Sequence, residues 1–425
     1  MNIKKILANT FLVNTIIITS ANAMTNVPIN QYGAVDVNAK VPVNIQVPAA
    51  PASFNAPNIT SAAEIWSNKV PSQPRLNVKS YILLDSDTGN IIAEQNANLR
   101  IAPASLTKLM LLYIVEEQLK NKTITLDTEF NVPTVAWGTG GSRMFLKPHT
   151  SVPVKDLIEG VIVASGNDAA VTLATGIAGT QSAFVDMMNL TARKLGMTNT
   201  NFSDVMGLPA PNLYTSARDL GILAQHVIND YPEYYSFYKH KYFTYNGVKQ
   251  PNFNKLLFID PYADGLKTGS TAAAGFSLIS SEKRENKRRL ISVVIGANNG
   301  TDSAYASLSL LKYGEQFFST KELYKPYQKI TESQVYMGTK NNIDISSKNQ
   351  VSITYPSAID TKNIIFTITK NTPFKAPIYK LQKMGELNVN YNGQLINQIP
   401  LVALNNIQSG SALKRLKDKV ALWFY

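Results

Sequence analysis

Pro103-Ala104-Ser105-Leu106-Thr107-Lys108-Leu109-Met110 sets a serine and a lysine three residues apart, at the head of an apolar run over 109–115. The run predicts a helix whose opening turn carries both residues, and a spacing of three projects them from one face. A serine hydroxyl is a poor nucleophile near neutral pH and needs a neighbouring base. Lysine fills that role when burial or nearby positive charge lowers its pKa, and a helix N-terminus adds positive potential. The spacing alone decides little, because it recurs at Ser280/Lys283 and Ser411/Lys414. The flanking chain has to discriminate among the three.

Just upstream, residues 80–85 and 91–94 read as strands around the turn chemistry of Ser86-Asp87-Thr88-Gly89-Asn90, so a hairpin leads into the Ser105 helix. Downstream, 134–149 reads as a loop. Helical patterns over 154–164 and 168–177 follow, broken at Ser165-Gly166-Asn167, a corner able to aim side chains into a cleft. Residues 215–228 form another amphipathic helix with Ser216 as its cap. A strand over 241–245 ends at Asn246-Gly247, a strong hairpin signal. Residues 264–271 then carry Lys267-Thr268-Gly269 on the first strand of a meander that runs through 276–281 and 290–296, closed by a helix over 304–318.

The two ends have different chemistry. Lys4 and Lys5, an apolar run over 6–18 and Ala21-Asn22-Ala23 together predict a secretory signal peptide over 1–23. Residues 24–75 are rich in Pro, Asn, Ala and Val without sustained periodicity and read as a flexible leader. From 320 to 406 short β-rich runs punctuated by Gly, Asn and Pro predict a small all-β accessory domain. In the tail, 407–425, Leu413, Leu416, Val420 and Trp423 recur at helical spacing. Lys414, Arg415, Lys417 and Lys419 occupy the remaining surface, the pattern of an interfacial amphipathic helix over 411–425.

Composition excludes several chemistries. The 425 residues contain no cysteine, which removes thiol catalysis and disulfide staples, and only three histidines, too few for a histidine-rich metal site. No cofactor and no metal is expected. The net charge of +12, on an exported chain, suits anionic lipid head groups or wall polymers rather than nucleic acid.

Three elements thus fall in order: Ser105-x-x-Lys108, Ser165-x-Asn167 and Lys267-Thr268-Gly269, the last occurring once. This is the motif set of penicillin-binding proteins and class A β-lactamases. Met144-Phe145-Leu146-Lys147-Pro148, Phe243-Thr244-Tyr245-Asn246-Gly247 and Asp264-Gly265-Leu266 extend the likeness. The chain resembles low-molecular-mass penicillin-binding proteins of the D-alanyl-D-alanine carboxypeptidase family, over about 75–320 and again in its C-terminal part.

The resemblance implies an α+β fold: a catalytic domain over 76–319, built as an antiparallel sheet flanked by helices plus a helical cluster, then the β domain and the tail helix. It implies a penicillin-sensitive serine carboxypeptidase acting on peptidoglycan pentapeptides, in the periplasm on the outer face of the cytoplasmic membrane. Ser105 would be the nucleophile, Lys108 its base and Ser165 a proton relay. Asn167, Lys267, Thr268 and Gly269 would bind substrate, and the backbone N–H groups of Ser105 and Ser270 would form an oxyanion hole. Two departures stand out. Ser270 replaces the family's common histidine, and Asn298-Asn299-Gly300-Thr301-Asp302-Ser303 lacks the basic residue that often helps hold the substrate carboxylate. A β-lactamase is the first rival, but no glutamate lies between Glu159 and Glu233 to serve its deacylation. An inactive wall- or membrane-binding scaffold is the second.

Overall fold

The structure, a computed structural model, describes Trp66 and residues 68–272, 274–284 and 288–424. The expected signal peptide and most of the expected leader lie outside the described residues. Strand β1 (Ser80–Asp85) is buried along its whole length, because both of its faces are covered. Ile82 and Leu84 point into one core, Tyr81 and Leu83 into another, as the twofold side-chain period requires. It pairs with β2 (Ile91–Gln95) as the expected hairpin and, on its other edge, with a strand two hundred residues downstream in sequence.

The Ser105 segment follows as a 3-10 turn, Ala104–Leu106, which feeds α1 (Thr107–Lys120). Every residue from Leu109 to Val115 is buried in the first core. A helix apolar on all sides belongs in the middle of a domain. Each such side chain contributes about 1.5–3 kcal/mol, which fixes α1 firmly behind the Ser105 turn.

The expected loop over 134–149 contains a one-turn helix, α2 (Thr134–Trp137), between the short strands β3 (Glu129–Asn131) and β4 (Ser151–Pro153). Helices α3 (Val154–Ile162) and α4 (Asn167–Ala178) flank the corner at Ser165 as expected. The sequence reading passed over α5 (Gln181–Lys194), which Thr180 caps by accepting from the Ala183 N–H. Ser216 does the same for α6 (Ala217–Asp230) from Asp219. The hairpin β5 (Tyr242–Tyr245) and β6 (Val248–Pro251) turns at Asn246-Gly247, and the one-turn helix α7 (Leu256–Ile259) leads to the meander.

That meander is β7 (Ala263–Thr271), β8 (Gly275–Lys283) and β9 (Arg289–Ala297), which complete an antiparallel sheet in the order β2-β1-β9-β8-β7. The closing helix α8 (Gly300–Phe317) starts four residues before the expected position, because the Asn299 side chain caps it by accepting from the Thr301 and Asp302 N–H groups.

The C-terminal domain is all-β, as expected: β10 (Phe318–Tyr324), β11 (Thr331–Tyr336), β12 (Asn342–Ser346), β13 (Val351–Pro356), β14 (Ile364–Lys370), β15 (Phe374–Lys375), β16 (Lys383–Tyr391) and β17 (Gln394–Ala403). Six of them form a sheet in the order β14-β16-β17-β12-β11-β15, and β10 pairs with β13. The tail forms α9 (Ala412–Ala421), with Ser411 as its cap.

Structure begins ahead of the expected boundary at Leu76. Trp66 is 1% exposed and meets Tyr391 of the β domain edge-on, ring centroids 4.8 Å apart. The Pro71 and Pro74 carbonyls accept hydrogen bonds from the Tyr313 and Tyr81 hydroxyls. This end of the leader is therefore part of the second core, which also takes residues from β1, α8 and the β domain.

Candidate active site

Ser105 precedes α1 rather than sitting within it. Ala104, beside it, has φ 50° and Ser165 has φ 52°, left-handed values that cost energy in residues other than glycine. Two close approaches hold the Ser105 turn. Gly207, at φ +86°, lies so near that a Cβ there would sit 1.7 Å from the Ala104 carbonyl oxygen, and Asp204 fixes the Gly207 loop by accepting from the N–H groups of Met206, Gly207 and Leu208 at 2.5, 2.6 and 3.0 Å. On the other side a Cβ at Gly269 would come 3.0 Å from the Leu106 nitrogen and 3.1 Å from the Pro103 oxygen. The glycine of Lys267-Thr268-Gly269 thus lets β7 lie directly against the Ser105 turn.

The second corner is pinned from inside. Buried Asp168 accepts from the N–H groups of Met144, Ala169 and Leu146, and the Asn167 N–H donates to the Ser142 carbonyl at 2.7 Å. The 140–146 segment is thereby stitched to the corner, and Ser165 faces α1.

These elements bring the motif residues into one chain of contacts. Lys108 Nζ lies 2.9 Å from Ser105 Oγ, 2.9 Å from the Ser165 carbonyl oxygen and 3.5 Å from Ser165 Oγ. Lys267 Nζ donates to Ser165 Oγ at 2.8 Å and to the Thr268 carbonyl at 3.0 Å. Both lysines are buried. Burial lowers Lys108 to about 7, with Asp204 and Asp168 pulling the other way. Lys267 is pushed well below the usual lysine range by burial and then by the positive charge of Lys108. A charge on either lysine disfavours a charge on the other, so one amine of the pair is available as a base.

In front of this chain opens a cleft of about 290 Å³ lined by Ser105, Ser165, Thr268, Gly269 and Ser270, among others. Lys108, Asn167 and Lys267 sit behind that lining. The Asn167 side-chain amide donates to the Gly140 carbonyl at 2.6 Å, and its Oδ1 makes no hydrogen bond to any described residue. The other two S-x-x-K pairs fall away on structural grounds. Ser280 is buried against Ser292, and the Ser411 hydroxyl accepts from the Lys414 N–H as a helix cap.

The cleft also contains residues that sequence reasoning missed. Phe253 and Lys255 line it, as do Ser142, Phe276, Ser277, Gly300 and Ser303. Asn252 and Asn254 were the available signal. Both are buried, and their side chains tie this stretch to the His240 carbonyl and to the Gly265 carbonyl of β7.

A serine hydrogen-bonded to a buried lysine, with a second serine and a second lysine in contact, matches the arrangement of acyl-transferring serine hydrolases of the S-x-x-K type. The comparisons narrow it. The family model described as D-alanyl-D-alanine carboxypeptidase matches residues 67–299, and that of the penicillin-binding protein 5 C-terminal domain matches 318–409. The D-alanyl-D-alanine carboxypeptidase DacC of Escherichia coli is 39% identical over 360 residues, 83% of this chain and 90% of that one. Penicillin-binding protein 5 from Haemophilus influenzae superposes with a TM-score of 0.73 at 37% identity, covering 80% of this chain and all of the other. Penicillin-binding protein D2 from Listeria monocytogenes, solved in its ampicillin-bound form, does so at 0.53 and 28% identity, covering 58% of this chain and all of that one. The chain belongs to the D-alanyl-D-alanine carboxypeptidase family, and its activity is that of a serine-type carboxypeptidase.

Proposed function

We propose that the protein removes the terminal D-alanine from peptidoglycan pentapeptides through an acyl-enzyme on Ser105. The observation that carries this reading is the unbroken contact chain Ser105–Lys108–Ser165–Lys267 behind one cleft. Ser105 Oγ bonds to the carbonyl carbon of the penultimate D-alanine while its proton passes to the neutral Lys108 amine. The carbonyl oxygen takes up charge facing the backbone N–H groups of Ser105 and Ser270. As the C–N bond breaks, the proton held by Lys108 passes to the leaving amine through Ser165, which Lys267 keeps hydrogen-bonded. Asn167 Oδ1 accepts from a substrate N–H, and Thr268 faces the terminal carboxylate. Water then adds to the ester as Lys108 takes its proton, and Lys108 returns that proton to Ser105 Oγ as the acyl C–Oγ bond breaks, releasing the shortened peptide. β-Lactams, whose ring presents a similar carbonyl, acylate the same serine.

The N-terminal pattern supports export, and the tail supports attachment to an anionic membrane surface. On α9 and the 3-10 turn Leu422–Phe424 that follows it, Leu413, Leu416, Val420 and Trp423 are 79, 63, 55 and 89% exposed. Asp418 faces the domain instead, accepting from the Met337 N–H and from Lys414. No helix among the described residues is long and apolar enough to cross a membrane, so α9 would lie along the surface rather than through it.

The test is covalent labelling of the full chain by a fluorescent penicillin, read with D-alanine release from a pentapeptide ending in D-Ala-D-Ala. Ser105→Ala should lose both. Equal labelling of wild type and variant would move the nucleophile elsewhere.

A further inference from the structure

The sheet has a second cavity, at the end of β8 remote from the cleft. It encloses about 450 Å³, within the range of small-molecule sites, and shares no lining residue with the cleft. Ser277 lines the cleft and Lys283 the cavity, so the rise of the strand sets the two about 20 Å apart. We infer that this cavity is a second peptide site, which holds a short peptide by its free ammonium on Asp87 and its free carboxylate on Lys283 and Arg289. The inference goes beyond the acyl-transfer chemistry, because no residue of the cleft enters it.

Opposite charges border the cavity without neutralising each other. Asp87 stands on the β1–β2 turn, and Lys283, the lysine of one of the two unused S-x-x-K pairs, ends β8. Among the described residues the Asp87 carboxylate accepts no hydrogen bond and the Lys283 ammonium joins no ion pair. Burial, then the neighbouring Asp85 carboxylate, raises the Asp87 carboxyl, while Lys283 and Arg289 pull it back down. The two sides therefore sense each other across the opening, and each keeps its capacity for a ligand group of opposite sign. A ligand of one charge would leave the far side facing it unanswered. A peptide with both ends free answers both, and the volume is more than a single amino acid needs.

The walls are built before any ligand arrives. Arg289 Nη1 donates to Asp264 at 2.6 Å and to Ser281 Oγ at 2.8 Å, and the guanidinium lies over the Tyr235 ring, 4.6 Å from its centroid. Tyr235 is itself buried and hydrogen-bonded to Ser281 at 2.6 Å. The fork is thus held in place while its Nη2 makes no hydrogen bond to a described residue, which leaves a fixed donor for a carboxylate. On the other side the buried Ser86 carbonyl accepts from the side-chain amides of Gln225 and Asn229 at 2.8 and 3.0 Å, and the Asp87 N–H donates to Asp85 Oδ1 at 2.9 Å. The turn that presents Asp87 is braced on α6 in this way. Ile228 and Pro232 give the cavity an apolar floor between its charged ends.

The experiment titrates L-alanyl-L-alanyl-L-alanine, free at both ends, into the full chain by calorimetry, with the cleft blocked by penicillin and the single adduct verified by intact mass. The acylated chain should still bind the peptide. N-acetylation or C-terminal amidation of the peptide should each weaken binding about tenfold, the scale of one charge-assisted contact. Asp87→Asn should weaken the free peptide to a similar degree and reduce the further effect of acetylation to within about threefold; Lys283→Gln should do the same for amidation. Penicillin labelling of both variants at the wild-type rate verifies their fold. The assignment would be overturned by absence of binding up to about 10 mM, by binding that disappears once Ser105 is acylated, or by caps and substitutions whose effects simply add.

Discussion

Acylation of Ser105 should switch on as pH rises through 7, because the base is useful only when neutral. With Lys108 lowered to about 7, its neutral fraction is about 0.09 at pH 6 and about 0.9 at pH 8. The second-order rate constant for acylation should therefore rise about tenfold over that interval and then level. A lysine at the ordinary value of about 10.4 gives a different curve: about a hundredfold increase over the same interval and no plateau. The assay follows covalent trapping by a fluorescent penicillin from pH 5.5 to 9, with intact mass to verify one adduct per chain. Asp204→Asn sharpens it. Asp204 is the main influence raising Lys108 against the effect of burial, so neutralising it should shift the midpoint to lower pH. A profile that climbs at unit slope past pH 9, or one with no acid limb at all, would refute Lys108 as the neutral base.

Two further outcomes follow from features outside the cleft. Glu116 on α1 is fully buried, and burial raises it to about 8 although Tyr238 donates to it. Its folded pKa lies above the unfolded one, so the folded state holds the extra proton and stability should decline as pH rises from about 4.5 to 8. Glu116→Gln keeps an acceptor for Tyr238, and should flatten that decline, worth several kcal/mol at most at about 1.4 kcal/mol per unit; melting temperatures at pH 5 and 8 that remain as far apart as in wild type would contradict this. For the tail, Leu416→Asp with Trp423→Asp should cut cosedimentation with anionic vesicles and leave penicillin labelling intact. Unchanged cosedimentation would remove α9 as the attachment.

The motif residues that meet behind the cleft were legible because acyl transfer needs particular residue types, and those types fall in a fixed order in the chain. Turn chemistry was equally readable at Asn246-Gly247 and at the Ser165 corner. What the sequence concealed depends on partners far away in the chain. Trp66 is an unremarked tryptophan in a Pro- and Asn-rich stretch until Tyr391 is brought against it. Gly207 looks like an ordinary loop glycine until Ala104 is placed under it. Lys255 has the commonest kind of surface side chain, and only the asparagine ties to β7 bring it to the cleft. The early start of α8 is written in the sequence as well, since Asn299 is a good cap.

Two family models divide this chain near residue 318, yet the second core crosses that line. Trp66, Leu310 and Phe318 share it with Ile353, Val389 and Tyr391. The chain is thus modular in ancestry but not in architecture. A transplanted C-terminal domain would have to arrive with its own ring for Trp66 and its own apolar floor for α8, or leave an oily seam on the enzyme. The N-terminal strap that carries Trp66 is what makes the two modules a single folding problem.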